Sequence, residues 1–347
     1  MKILKKLLSL IIISILLLHI IKNPVYASPN ITTQNPVKIG VFLNNFNDPF
    51  ISDVKKNLED IQKENENKIQ FTFFDAKSNQ VIQDENISQA LNKDFDLFVI
   101  NLVSAKISDI ESTLNKIFRK NIPLILHLAP NTEFANLIRS YGNAIIIGSD
   151  EEQSGTLQGK ILVDTWNANK GTIDKNKDNI MQYVMLKGPA NSQSAILRTK
   201  YSIRAINDAG IKTEELASTY CEWLQDCAKS SIESLLLKHG NKIEAIISNN
   251  DAMAIGAIEA LQKYGFNKGD SSKYIPVVGV DALPEAQELI KQGVMTGTVV
   301  QDSRALADAI YTTGINMVSG ANPLSGTNYK FDETGITIKL PYYEYVK

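Results

Sequence analysis

The chain has 347 residues with 36 Lys plus Arg against 38 Asp plus Glu, a formal charge of −2, so nothing electrostatic points to nucleic acid as a partner. Its 44% hydrophobic and 21% charged residues are those of a globular protein and argue against a disordered, collagenous or polytopic membrane chain. The length predicts two domains.

Residues 1–27 differ in kind. Lys2, Lys5 and Lys6 precede a largely apolar run from Leu7 to Ile21, and Val25-Tyr26-Ala27 precede Ser28. That pattern predicts a secretory signal peptide, 1–27, and an exported protein in the periplasm or on the outer face of the cell membrane. The apolar run is short for a membrane span, and an uncleaved anchor is the alternative. No cysteine lies near the cut, which removes a lipid-modified N-terminal Cys.

From residue 37, short β-branched runs alternate with amphipathic stretches, the signature of βαβ units and a parallel sheet. Strands are expected at Val37–Leu43, Ile69–Phe74, Leu97–Asn101, Ile122–Leu128 and Ala144–Ile147, with helices near 50–65, 79–92, 105–119 and 131–140. They make one open five-stranded sheet. A second series follows Gly148-Ser149-Asp150: a helix from Glu151 to about Asn167, a polar loop to Asn179, then strands at Tyr183–Lys187, Ala245–Ser248, Val277–Val280 and Thr296–Val300. The expected class is α/β with two similar lobes.

In open α/β sheets ligands sit beyond the C-terminal strand ends. Here those positions are rich in amide and carboxylate: Asn44, Asn45, Asp48, Asn101, Asn249-Asn250-Asp251, Asp281 and Gln301-Asp302. Such groups suit a ligand made of hydroxyls, and equally they cap the helices that follow. Catalysis has no signal: beyond residue 27 only His127 and His239 occur, with no C-x-x-C, H-E-x-x-H, G-x-S-x-G or phosphate loop. His239 reads as the last turn of a helix, and His127 ends a strand pointing at the cleft.

Cys221 and Cys227 are the only cysteines. Export permits them to pair, but residues six apart on a helix do not face one another, so a bond needs a non-helical segment between them. The run Asp174-Lys175-Asn176-Lys177-Asp178-Asn179 puts oxygen side chains at positions 1, 3 and 5, as in an EF-hand calcium loop. The Ile180 carbonyl and Gln182 extend the set. Asn179 stands where Gly is usual, and the twelfth position is Met185 rather than Glu.

In these residues the chain resembles the periplasmic glucose/galactose-binding proteins of ABC sugar transport. The resemblance spans nearly all of 37–346 and rests on Ile100-Asn101-Leu102-Val103, Leu186-Lys187-Gly188, Asn249-Asn250-Asp251-Ala252-Met253-Ala254 and Gly279-Val280-Asp281-Ala282-Leu283-Pro284. It implies a type I periplasmic binding protein: two Rossmann-like lobes with parallel-sheet cores, joined by a three-crossover hinge, closing on a monosaccharide. The N-terminal lobe would hold 37–148 plus about 303–330, and the C-terminal lobe 149–302 plus about 331–347. A monomer is expected, serving an ABC permease or, as the alternative, a membrane chemoreceptor or kinase.

The resemblance implies a structural Ca²⁺ on Asp174, Asn176, Asp178, Ile180, Gln182 and Glu244. It implies a sugar ring between Phe50 and Trp223, held by Asp48, Asn101, Asn250, Asp281 and two donors of Arg198. Where the family places a His and an Asp this chain has Ser192 and Ser194, and Gln301 stands for an Asn. Those changes are expected to leave room at one end of the sugar and remove a strong acceptor there. Plain glucose and galactose are then expected to bind weakly and a differently substituted sugar better.

Overall fold

The computed structural model describes residues 35–129 and 131–347. The expected signal peptide lies outside the described residues. The first sheet contains β1 (Val37–Leu43), β2 (Ile69–Asp75), β3 (Leu97–Asn101), β4 (Leu124–His127) and β5 (Ala144–Ser149), alternating with α1 (Pro49–Glu64), α2 (Gln80–Ala90), α3 (Ile107–Lys120) and α4 (Thr132–Tyr141). A late strand, β11 (Thr337–Leu340), adds to its edge, giving the all-parallel order β11-β5-β4-β3-β1-β2.

The second sheet contains β6 (Ile180–Lys187), β7 (Lys212–Tyr220), β8 (Ala245–Ser248), β9 (Val277–Asp281), β10 (Gly297–Val300) and β12 (Tyr343–Val346). Its order is β12-β10-β9-β8-β6-β7, with β12 antiparallel at one edge. Its helices are α5 (Glu151–Ile173), α6 (Gln193–Asp208), α7 (Gln225–His239), α8 (Asp251–Lys263) and α9 (Pro284–Lys291), while α10 (Ser303–Val318) returns to pack against α1 and β3 of the first lobe.

Strands covered by helices on both faces are apolar almost throughout, and β1 is buried at six of its seven positions, Lys38 being the exception. Helices show the opposite pattern. In α3 the buried Ile110, Leu114 and Ile117 recur at i, i+4 and i+7, and Asn121, with φ of 53°, ends the helix in the left-handed region. In α1, Pro49 opens the first turn and Val54, Leu58 and Ile61 face the sheet. Each such fully buried side chain contributes ~1.5–3 kcal/mol.

Two connections differ from the expected division. Residues 331–347 do not all join the second lobe: β11 pairs with β5, and the chain crosses only at Pro341-Tyr342 before β12 pairs with β10. Helix α5 runs past Asn167 to Ile173, kinking at Asn169, because Trp166 and Ile173 bury against the second sheet. The cysteines also settle. Cys221 ends the β7 extension, Glu222 and Trp223 turn back with φ of 52° and 70°, and Cys227 lies in the first turn of α7. Their Cα atoms stand 5.3 Å apart in a disulfide.

Candidate functional site

The cleft lies between the C-terminal ends of the two sheets. Asp48, Phe50 and Asn101 line it from the first lobe, and Ser192, Ser194, Arg198, Trp223, Asn250, Asp281 and Gln301 from the second. All ten side chains named from sequence therefore meet in one cavity. Others named with them do not: Asn45 bonds Ser78 on the surface, Asn249 holds the Gly188 N–H inside the second lobe, and Asp302 caps α10.

Capping and lining turn out to be one arrangement. Asp48 accepts from the Ile51 N–H, Ser192 from that of Ala195 and Asn250 from that of Met253, so each is fixed by its helix start while bordering the cavity. Asn101 accepts from the Asn44 N–H at 3.2 Å and donates to the His127 carbonyl at 3.3 Å. Asn44 lines the cavity too, and its buried Oδ1 has no hydrogen-bond partner among the described residues. It is an acceptor free for a ligand hydroxyl.

His127 borders the cavity with Nδ1 3.0 Å from the Ile147 carbonyl. A carbonyl only accepts, so Nδ1 carries the proton. Burial pushes the imidazole below its ordinary pKa, against the raising effects of that bond and of Glu151. His239 closes α7, as its position suggested.

Arg198, 4% exposed, is held on every side. Its Nε donates to Glu151 at 2.8 Å, Nη1 to the Asn249 carbonyl at 2.8 Å, and Nη2 to Gln301 and the Tyr342 hydroxyl, both at 2.9 Å. Four of the five N–H groups of a guanidinium are thus engaged within the protein. The expectation of two Arg198 donors for a sugar is corrected: one Nη1 hydrogen is left, on the nitrogen 4.0 Å from Asp281 Oδ1. Gln301 is correspondingly turned toward Arg198.

Glu151 is the residue sequence reasoning missed. Its carboxylate takes the Arg198 Nε–H, the Tyr342 O–H at 3.0 Å and the Ser194 O–H at 3.1 Å. A carboxylate from α5 therefore stands beside Ser194 and takes part of the space there. An acid in a helix's first turn is ordinary, so only its position against the cleft could have marked it.

Burial pushes the Asp48 carboxyl above the usual range, opposed by the Ile51 and Phe50 N–H groups and by Arg198. Asp281 is pushed well up by burial, with Arg198 pulling it down and Asp251 and Asp48 pushing it further up. Behind it Asp251 is fully buried, accepts from Thr298 at 2.6 Å and from the Leu283 N–H, and is pushed up to about 7 by burial. Asp281 and Ala282 have φ of 123° and 58°, a local strain of ~1–3 kcal/mol at a residue lining the cavity.

Away from the cleft, the 174–182 loop folds onto Glu244. The Glu244 carboxylate accepts from the N–H groups of Lys175 and Gln182, and Asp178 accepts from Asn176 and Gln182. Asn179 has φ of 63°, the left-handed conformation its place in the loop demands. Buried Asp174 Oδ1 and Gln182 Oε1 have no partner among the described residues. Burial raises the Glu244 pKa, and the nearby Asp174 and Asp178 charges raise it further. Among the described residues no three His, Cys, Asp or Glu are gathered as a metal cluster. Any oxygen donors beyond these carboxylates are the amide oxygens of Asn176 and Gln182 and the Ile180 carbonyl.

Residues 39–322 match the family model for the periplasmic binding protein domain. The chain is 33% identical, over 91% of each sequence, to the D-galactose/methyl-galactoside binding periplasmic protein of Haemophilus influenzae. It is 25% identical to the D-allose-binding periplasmic protein of Escherichia coli, covering 81% of this chain and 83% of that one. A solute-binding protein of Actinobacillus succinogenes with bound D-allose superposes with a TM-score of 0.73 at 19% identity, over 90% of this chain and 98% of the other, a likeness of fold. With two parallel-sheet lobes about a polar cleft and a family match across most of its length, the chain belongs to the periplasmic binding proteins.

Proposed function

We propose that the protein captures a monosaccharide of the galactose or glucose type between its lobes and presents it to an ABC permease outside the cytoplasmic membrane. The observation that carries this is the composition of the cavity: Phe50 from one lobe and Trp223 from the other, with Asp48, Asn101, Asn250, Asp281 and the unpartnered Asn44 oxygen between them. Aromatic faces suit the C–H face of a sugar ring, and amides and carboxylates suit its hydroxyls. Support comes also from the relative in Haemophilus influenzae, whose name states galactose and methyl-galactoside. The family is one of binding proteins, not enzymes.

Specificity is altered from that relative's in this reading. Ser192 and Ser194 are short, Glu151 fills part of the place beside them, and Arg198 has one donor left to offer. A sugar bearing a different substituent at that end gains over plain glucose or galactose.

The same reading places Ca²⁺ on Asp174, Asn176, Asp178, the Ile180 carbonyl, Gln182 and Glu244. The unpartnered oxygens of Asp174 and Gln182 fit the hard, oxygen-seeking character of that ion. The ion would supply structural cross-linking of the loop to the start of β8. A thermal-shift screen of hexoses and pentoses tests the function, since a ligand of the native state raises the melting temperature. Sugars at millimolar concentration that leave it unmoved would refute the reading.

A further inference from the structure

Among the described residues the chain passes between lobes three times: from β5 to α5 at Ser149–Glu151, from β10 to α10 at Val300–Ser303, and from β11 to β12 at Leu340–Tyr343. Arg198 is bonded to one residue of each crossing. Nε meets Glu151 of the first, and Nη2 meets Gln301 of the second and Tyr342 of the third. Tyr342 also donates to Glu151, and its N–H bonds Gln153 on α5, so the crossings are tied to each other as well. The same guanidinium lies 5.9 Å from the Trp223 ring centre at the cavity wall.

We propose that Arg198 is a hinge clasp, with Glu151 and Tyr342 as the positioning residues that hold it, and that it couples occupancy of the cleft to the relative angle of the lobes. The consequence for ligand release rests on the sugar-capture reading; the clasp itself does not. Lobe rotation must change the relative geometry of the three crossings, and a planar guanidinium with four fixed bonds resists that change. A ligand contact at Trp223, Asp281 or the remaining Nη1 hydrogen then acts on the hinge through one side chain. Simple charge neutralisation of a buried arginine would need Glu151 alone. It gives no role to Gln301 and Tyr342, which are neutral and lie on the two other crossings.

The test separates pairing from clasping. Tyr342 does not line the cavity, and Tyr342→Phe should enlarge the ligand-free radius of gyration in X-ray scattering and release D-galactose about tenfold faster. Glu151→Ser should do the same and lower the melting temperature. Adding Ser194→Asp to Glu151→Ser puts a carboxylate four residues before Arg198 on the same helix, re-pairing the charge without touching the first crossing. Melting should recover while scattering and release stay altered. Arg204→Ala, which removes an exposed pair on the same helix, should change neither scattering nor release.

If Tyr342→Phe scatters as the parent does, or if the double variant regains parental scattering together with its melting temperature, Arg198 is only charge-paired and the proposal fails. Weak D-galactose binding is what the altered specificity predicts; failure of every hexose and pentose in a panel at millimolar concentration to bind the parent protein would count against the sugar reading instead, and the ligand-free scattering would still decide the clasp.

Discussion

A β-carbon on Gly188 would collide with the indole of Trp223. Gly188 follows β6, its N–H is held by Asn249, and the ring lies against its open face. Trp223 in turn needs a left-handed backbone, with φ of 70°, which the Cys221–Cys227 disulfide closes around. Gly188→Ala should therefore displace the ring, cost ~1–3 kcal/mol of stability and weaken sugar binding by about tenfold or more. Crystallography and titration of the variant check this, and an undisplaced Trp223 would contradict it.

Trp223 and Trp166 are the only tryptophans. Trp166 is buried in the second-lobe core on α5, away from the cavity. A saturating sugar should change the fluorescence of the parent protein, and Trp223→Phe should abolish the change. A signal that persists in that variant would place the ligand elsewhere.

On the proposed calcium site, removal of the ion should lower the melting temperature without abolishing the fold, because the ion would join one loop to the start of β8, a central strand of an already packed sheet. Glu244→Ala should melt lower than the parent and lose its sensitivity to chelator. Identical parental melting curves with and without chelator would exclude the ion.

How much of this was legible in the sequence depends on the kind of signal each element carries. Strands β1, β3, β8 and β9 are nearly all apolar and stand out, and Asn101, Asn250 and Asp281 were found because they terminate them. Strand β7, KTEELASTY, is an edge strand with little burial, so no apolar run marks it. Strands β11 and β12 are four residues each, and which lobe they join is decided by pairing across the molecule. Glu151 and Tyr342 escaped for the same reason: their role exists only where three distant crossings meet. The second cysteine's turn was hidden because Glu222 and Trp223 adopt positive φ without glycine.

Stability should depend on pH through Asp251. Its folded pKa of about 7 lies above the ordinary carboxylate value, so the native state takes up a proton that the unfolded state does not hold between about pH 4 and 7. Its contribution is therefore greatest at low pH and falls as pH rises through the folded pKa. Asp281, Thr298 and Arg198 modulate the same group, and the span is roughly a few kcal/mol at most. Asp251→Asn should flatten this part of the profile in denaturant titrations at pH 5 and 8. An unchanged slope would contradict the assignment.

The most direct measurement is calorimetric titration of the protein with a panel of hexoses and pentoses, alongside Asp281→Asn. The account predicts that at least one monosaccharide saturates a single site per chain, more tightly than plain glucose or galactose, and that the variant loses about tenfold to a hundredfold in affinity. Tight binding of galactose or glucose themselves would overturn the altered specificity. No heat from any monosaccharide at millimolar concentration would contradict the central claim that the cleft is a sugar site.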